Sequence, residues 1–553
     1  PANPGAVWPP APNDFPDCGG KDHQFTRCAP PVPDRWRLIQ TLGLVKEHWW
    51  DPYHQNTLKG DRPIPGTKDW FIAASIISDT VVEPRSFPVP VGVQTTADPG
   101  SIDVFGDSDS FAFSQTFITS LSLIKGSTTF KPAKLEIRFT PAFNYNYARV
   151  EEDRILFVEP SKGTKRKDHF IGMQDAFVDY HIRNVSDRYD FDSIRLGVQP
   201  FSSDFRGFLF QDNQLGVRLF GNRLGNRFQY NIAAFRLIEK DTNSGLNDIW
   251  TRLRDDYVFA FNLYRQDLPV PGFTSQITAV YNRDREGDEI HIDKNGFPVR
   301  PALIGDDRPR DYDVYYLGYN ADGHIGRINL TGSFYYALGE DRNSIFTGRP
   351  AKIRSFFAAI EPSYDINWVR LRLSGLIASG DDNPNDNTER GFDAIMENPQ
   401  FAGADTSYWI RQAVPFIGGG RVIGVSGRNG VLADLRSSKD EGQSNFNNPG
   451  ILLAGAGTDL DILPALRVSG NVNHLWFRNT SVLEALRMQG DIGKDIGWDV
   501  STAIIYRPGF IENVVLRLSG AGLYPGSGFK DLFENVERRN VYYSVLFNVV
   551  LTY

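Results

Sequence analysis

From Tyr543 to Tyr553 every second residue is apolar or aromatic: Tyr543, Val545, Phe547, Val549, Leu551 and Tyr553. Between them stand Ser544, Leu546, Asn548, Val550 and Thr552. Successive side chains of an extended strand point to opposite faces, so this segment has one unbroken apolar face and one face that carries polar groups. The pattern recurs along the chain. Leu135, Ile137, Phe139, Pro141, Phe143 and Tyr145 alternate with Glu136, Arg138, Thr140, Ala142 and Asn144. Phe334, Tyr336 and Leu338 alternate with Ser333 and Tyr335, and Trp498, Val500, Thr502, Ile504 and Tyr506 face away from Asp499, Ser501 and Arg507. A soluble sandwich would need a second apolar sheet over each such face. Lipid outside and water inside satisfy the pattern with one layer.

Composition narrows the choice. The 553 residues are 23% charged, with acids and bases scattered evenly and a net charge of −8, which excludes a broadly basic nucleic-acid binder. No run of 18 or more apolar residues occurs, so no transmembrane helix is expected. A closed barrel is then the fold that pairs every backbone polar group in lipid. Alternation predicts eighteen antiparallel strands near 70–80, 111–124, 133–146, 173–183, 193–200, 214–221, 226–239, 257–267, 273–283, 311–321, 326–339, 352–364, 366–379, 449–461, 464–478, 495–507, 513–524 and 541–553. The even number suits a single-chain bacterial barrel. Connections alternate in length: short at 221–226, 267–272, 321–326, 364–367, 461–464 and 507–513, long at 81–110, 147–172, 284–310 and 380–448. Short periplasmic turns and long outer loops produce such alternation, which places both termini in the periplasm of an outer-membrane barrel over 70–553.

Residues 1–69 hold clustered prolines and both cysteines, and read as a periplasmic extension or a plug for the lumen. The start at Pro1, without a charged and then apolar leader, reads as a mature form. Cys18 and Cys28 are expected to form a disulfide in an oxidising compartment, and no CxxC or CxxCH motif suggests metal or haem instead.

With the strands placed, the chain resembles the alginate-export type of outer-membrane barrel, a porin-like family of about eighteen strands. The resemblance rests on Gln174–Tyr180 (QDAFVDY), Arg195–Phe201 (RLGVQPF), Asn445–Asp459 (NFNNPGILLAGAGTD) and Leu463–Arg467 (LPALR). It implies a lumen lined with opposed arginines and acids that passes an anionic polysaccharide. The Cys-bearing extension departs from that family pattern.

No hydrolase, metalloprotease, P-loop or dinucleotide motif is present, the eight histidines are dispersed, and neither an enzyme nor a cofactor is expected. The inward faces instead carry Arg138, Arg195, Arg218, Arg370, Arg372, Arg467, Arg507 and Arg517, with Asp179 and Asp499 among the acids. Planar guanidinium groups bind anions, and a low-dielectric wall focuses their field. The set reads either as a selectivity ladder, with Arg370 and Arg372 foremost, or as arginine–carboxylate pairs that stiffen the wall. The run Asp381–Asn387 (DDNPNDN) offers oxygen ligands for Ca²⁺ but lacks the EF-hand spacing, so a solvated loop is the simpler reading. The expected function is passive diffusion or export of a small polar solute or polysaccharide. A closed barrel serving as a surface anchor, or as a sheath for a protein partner such as a cytochrome, is the alternative. The strand Tyr543–Tyr553 would engage the barrel-assembly machinery.

Overall fold

A computed structural model describes residues 42–43, 48–51, 56–67, 69–86, 89–90, 105–126, 132–186, 190–300, 308–403, 443–509, 513–532 and 539–553. Cys18 and Cys28 lie outside the described residues. Eighteen strands close into one antiparallel barrel. In chain order they are β1 (Trp70–Ser86), β2 (Asp109–Lys125), β3 (Leu135–Val150), β4 (Lys165–Asn184), β5 (Phe191–Ser202) and β6 (Gln211–Arg223). Then follow β7 (Phe228–Lys240), β8 (Asn247–Arg265), β9 (Phe273–Arg285), β10 (Asp311–Ile325), β11 (Ile328–Asp341) and β12 (Ala351–Ile366). The last six are β13 (Val369–Ala378), β14 (Ile451–Leu463), β15 (Leu466–Phe477), β16 (Asp495–Tyr506), β17 (Val514–Pro525) and β18 (Tyr542–Thr552). Each strand pairs with its chain neighbour, and β18 closes on β1 with Thr552 opposite Ile77 and Ser544 opposite Arg85. Closure leaves no sheet edge for lipid to meet.

The two faces differ as the alternation requires. On β11, Phe334, Tyr336 and Leu338 are exposed outward, while Thr331, Ser333, Tyr335 and Ala337 are buried on the inside. On β16, Trp498, Val500 and Ile504 are exposed, and Asp499, Ser501 and Ala503 are buried. Tight connections at 326–327, 367–368 and 464–465 lie at one end, and the long ones at 286–310 and 379–450 lie at the other. An outward apolar band, a polar interior and this loop asymmetry are the architecture of an outer-membrane barrel.

Several strands run beyond the expected bounds at their long-loop ends. β4 begins at Lys165 instead of 173, β8 at Asn247 instead of 257, and β1 runs on to Ser86. Past the apolar band both faces of a strand carry polar residues, the inward ones such as Arg166, Asn247 and Arg254 buried, so the hydrogen-bond ladder continues while the alternation that marks a strand in the sequence stops. At the other end Lys59–Pro63 adds a short antiparallel segment to β1, Lys59 opposite Ala73 and Pro63 opposite Phe71. It occupies the edge of β1 just past the point where Tyr553 ends its bonds to Ile76.

The interior holds a packed core. β5 and β6 are short at the outer end, and their connection at 203–210 turns into the barrel. Phe208, Leu209 and Phe210 there are buried, as are Phe392, Ile395, Met396, Phe401 and Phe446 of the connection between β13 and β14. Their rings pack edge to face and tilted: Phe208 lies 4.9 Å from Phe357 and 5.4 Å from Phe401, and Phe210 lies 5.8 Å from Phe235. Within the membrane-facing shell, therefore, an apolar core fills part of the lumen.

Candidate functional site in the lumen

Neighbouring strands β3 to β6 bring three inward arginines onto one wall. Arg138 on β3 donates to Glu136 Oε1 at 2.9 Å and to Ser122 Oγ at 3.0 Å. Arg195 on β5 donates from Nε at 2.9 Å and contacts from Nη2 at 2.7 Å the same Asp179 Oδ2 of β4. Arg218 on β6 stands directly opposite Arg195. Its Nε donates to Asn231 Oδ1 at 2.7 Å, and no carboxylate among the described residues lies within ion-pair distance of it. Like charges placed opposite one another weaken a strand pair. Aromatic faces soften that repulsion: Arg195 lies 4.2 Å from the Phe177 ring centre, and Arg218 lies 4.7 Å from that of Phe220.

The other expected arginines sit differently. Arg370 donates to Asp365 at 2.6 and 3.0 Å, and Arg467 to Asp461 at 2.6 and 3.0 Å, both exposed pairs at the short-turn rim. Such pairs stabilise by ~0–1 kcal/mol. Arg372 is shared between Asp459 at 3.3 Å and Asn471 at 2.8 Å. Arg507 is exposed in the connection after β16, where its backbone N–H donates to Ala465. Arg517 faces Asn548 across β17 and β18, and buried Asp499 stands opposite Asn473. Arg138, Arg195 and Arg218 are gathered on one inner wall of neighbouring strands, whereas Arg370, Arg467 and Arg507 come together around Asp461 at the short-turn rim.

The inner segments are held by polar groups that alternation does not single out. Asp204 accepts from the backbone N–H of Arg206 (2.9 Å), Phe208 (3.0 Å) and Leu209 (3.1 Å), and from the Tyr335 hydroxyl (2.9 Å). Ser203 O accepts from Gln276 at 2.7 Å, so the turn reaches from β5 across to β9 and β11. Arg206 donates to Gln400 O at 3.1 Å and lies 3.7 Å from Glu361. Glu361 in turn accepts from Ala402 N–H at 3.0 Å and Ser374 Oγ at 2.8 Å. Gly207 has φ +73°, and a Cβ there would lie 2.1 Å from Gln211 Oε1 and 2.6 Å from Asn398 O. Glycine lets the two inward segments approach. The signal for this turn was its composition: SSDFRGFLF combines an Asx-type acceptor, a glycine and four large apolar residues within a connection between strands.

The Asp381–Asn387 run is neutralised from within. Arg390 Nη1 lies 3.7 Å from Asp381, 3.4 Å from Asp382 and 3.0 Å from Asp386. A guanidinium occupies the place a cation would take, and no group of acids or histidines among the described residues could hold a metal. Burial pushes the Asp381 carboxyl up to about 7 despite Arg390.

No protein-family model matches the chain, and no curated protein does. Solved structures similar to it include Pseudomonas aeruginosa OccK5 (OpdH), at 13% identity and TM-score 0.42, covering 87% of this chain and 97% of that one. A BenF-like porin from Pseudomonas fluorescens Pf-5 has 11% identity and TM-score 0.46, covering 87% and 98%. Pseudomonas aeruginosa OpdK with vanillate likewise has 11% identity and TM-score 0.46, with the same coverage. Likeness at this level carries no functional weight, so the reading below rests on the barrel and its interior.

Proposed function

We propose that this barrel is a passive outer-membrane channel for a small anionic solute, narrowed by the inward segments at 203–210 and 391–403. The observation that carries this reading is Arg218: an inward guanidinium opposite a second arginine, without a carboxylate of its own. A passing carboxylate or phosphate would relieve that repulsion, and the low-dielectric wall strengthens the attraction. Arg138 and Arg195, each already bound to an acid, frame this position and keep the wall rigid. The resemblance in QDAFVDY and RLGVQPF suggests an acidic polysaccharide, whereas the apolar core inside the barrel favours a small solute over a polymer.

Reversal potentials in planar bilayers under a salt gradient test the assignment. The unaltered protein should prefer anions, Arg218→Gln should lose much of that preference, and Arg218→Lys should keep it. Unchanged potentials in Arg218→Gln would remove Arg218 from the selectivity site. A closed anchor would conduct no current at all.

A further inference from the structure

The outer wall of β3 and β4 carries cations that the lumen does not use. From the apolar band toward the long-loop end, Phe143 stands opposite Ile171, Tyr145 opposite His169, Tyr147 opposite Lys167 and Arg149 opposite Lys165. On β2, Phe113 pairs with Tyr147 and Phe111 with Arg149. The Phe111 and Tyr147 rings lie 6.1 Å apart, and Phe113 and Tyr145 lie 6.4 Å apart. An aromatic belt thus gives way to three cations within two rows.

Arg149, Lys165 and Lys167 are exposed, and none has an ion pair among the described residues. Glu151, the acid nearest Arg149 along the chain, feels Arg149 but shares its surroundings with Asp107, Asp109 and Arg539, which holds Asp109 at 2.7 Å, and Asp168 beside Lys167 is held by Lys294 and Asn243. The comparable row farther round the barrel is built differently. There Arg283 stands opposite Asp313, and Asp313 opposite Glu340, with Arg342 3.4 Å from Asp313. Acids interleave with bases on that side. On β3 and β4 they do not, and Arg149 faces Lys165 directly, an arrangement that costs stability unless an anion bridges it.

Aromatic belts mark the membrane–water interface, so cations one row farther out lie at headgroup level of the outer leaflet. Basic clusters at that depth attract anionic headgroups. We propose that Arg149, Lys165 and Lys167 form a docking site for the phosphate of a phosphorylated outer-leaflet lipid, whose acyl chains lie along Phe143, Tyr145 and Ile171.

The test is a titration of the full-length protein in neutral detergent with bis-phosphorylated lipid A and with its dephosphorylated form, read by native mass spectrometry. The protein should bind the phosphorylated lipid at least about tenfold more tightly. The triple variant Arg149→Gln, Lys165→Gln, Lys167→Gln should bind it about a hundredfold more weakly and lose the preference. Lys165→Gln alone, which keeps two of the three cations, should weaken binding about fivefold, and Arg149→Lys should keep it. Millimolar sodium phosphate should leave the lipid bound; its displacement by free phosphate would overturn the lipid assignment. Equal affinity for both lipids, or undiminished binding by the substituted proteins, would overturn the site. Heat-modifiable gel migration reports separately that the barrel of each variant is folded, and bilayer conductance bears on the channel reading alone.

Discussion

Asp204 shows how much of this interior rests on single side chains. Its carboxylate accepts three backbone N–H bonds and the Tyr335 hydroxyl in a site closed to water. Asp204→Ala would leave those donors buried without acceptors, at ~1–3 kcal/mol for each that fails to find a new partner. Hydrogen exchange at Phe208 and Leu209 should accelerate by orders of magnitude in Asp204→Ala, and much less in Tyr335→Phe. Equal rates in Asp204→Ala and the unaltered chain would show that the turn is held by its rings alone. Asp381 offers a pH test. Its carboxyl titrates near 7, raised by burial from an ordinary value of 3.8. A raised acid contributes stability that is complete below the unfolded value and is lost as pH rises through the folded one. Anchoring of residues 379–403 should therefore weaken between about pH 4 and 7, and Asp381→Asn should flatten that dependence in exchange at Asn383 and Phe392. The sequence could show none of this, because Asp204 and Asp381 are ordinary loop acids until the fold takes water away from them.

At the scale of elements, alternation located all eighteen strands, since lipid on one side and water on the other force period two on every residue between them. It misplaced ends, as at β4 and β8, where that constraint lapses outside the membrane. It gave no inward placement to the turn at 203–210, and marked the 380–448 connection only as a long loop able to fold in. Their apolar residues follow neither period two nor a helical repeat, and are explained only by Phe235 and Phe357 waiting on the wall. Alternation put the arginines on the face opposite the apolar one, but Arg507 lies beyond the end of its strand and Arg370 and Arg467 at the rim. Their division into paired ones, such as Arg195 with Asp179, and the uncommitted Arg218 depends on cross-strand register. Gly207→Ala belongs to this scale: the added methyl would press on Asn398 O and Gln211. The two inward segments should separate, with greater open-channel noise in single-channel records. Unaltered noise would mean that the segments do not border the conducting path.

For the whole molecule, three features have to act together: a closed wall, an apolar outer band and an interior only partly filled. β14 to β18 present small or polar groups inward at mid-strand, among them Asn471, Ser501, Ser519 and Ser544, while the apolar core reaches these strands only near their long-loop ends, at Ile451, Phe477, Leu523 and Tyr542. In the proposed channel, water and ions pass along these small and polar groups, bounded by the apolar core. Single-channel conductance in symmetric salt tests this arrangement most directly. The unaltered protein should show small, discrete openings, and Asp204→Ala, with its inner turn released, should show larger and noisier ones. No current from either protein would contradict the channel, and equal conductance would contradict the inward segments as its constriction.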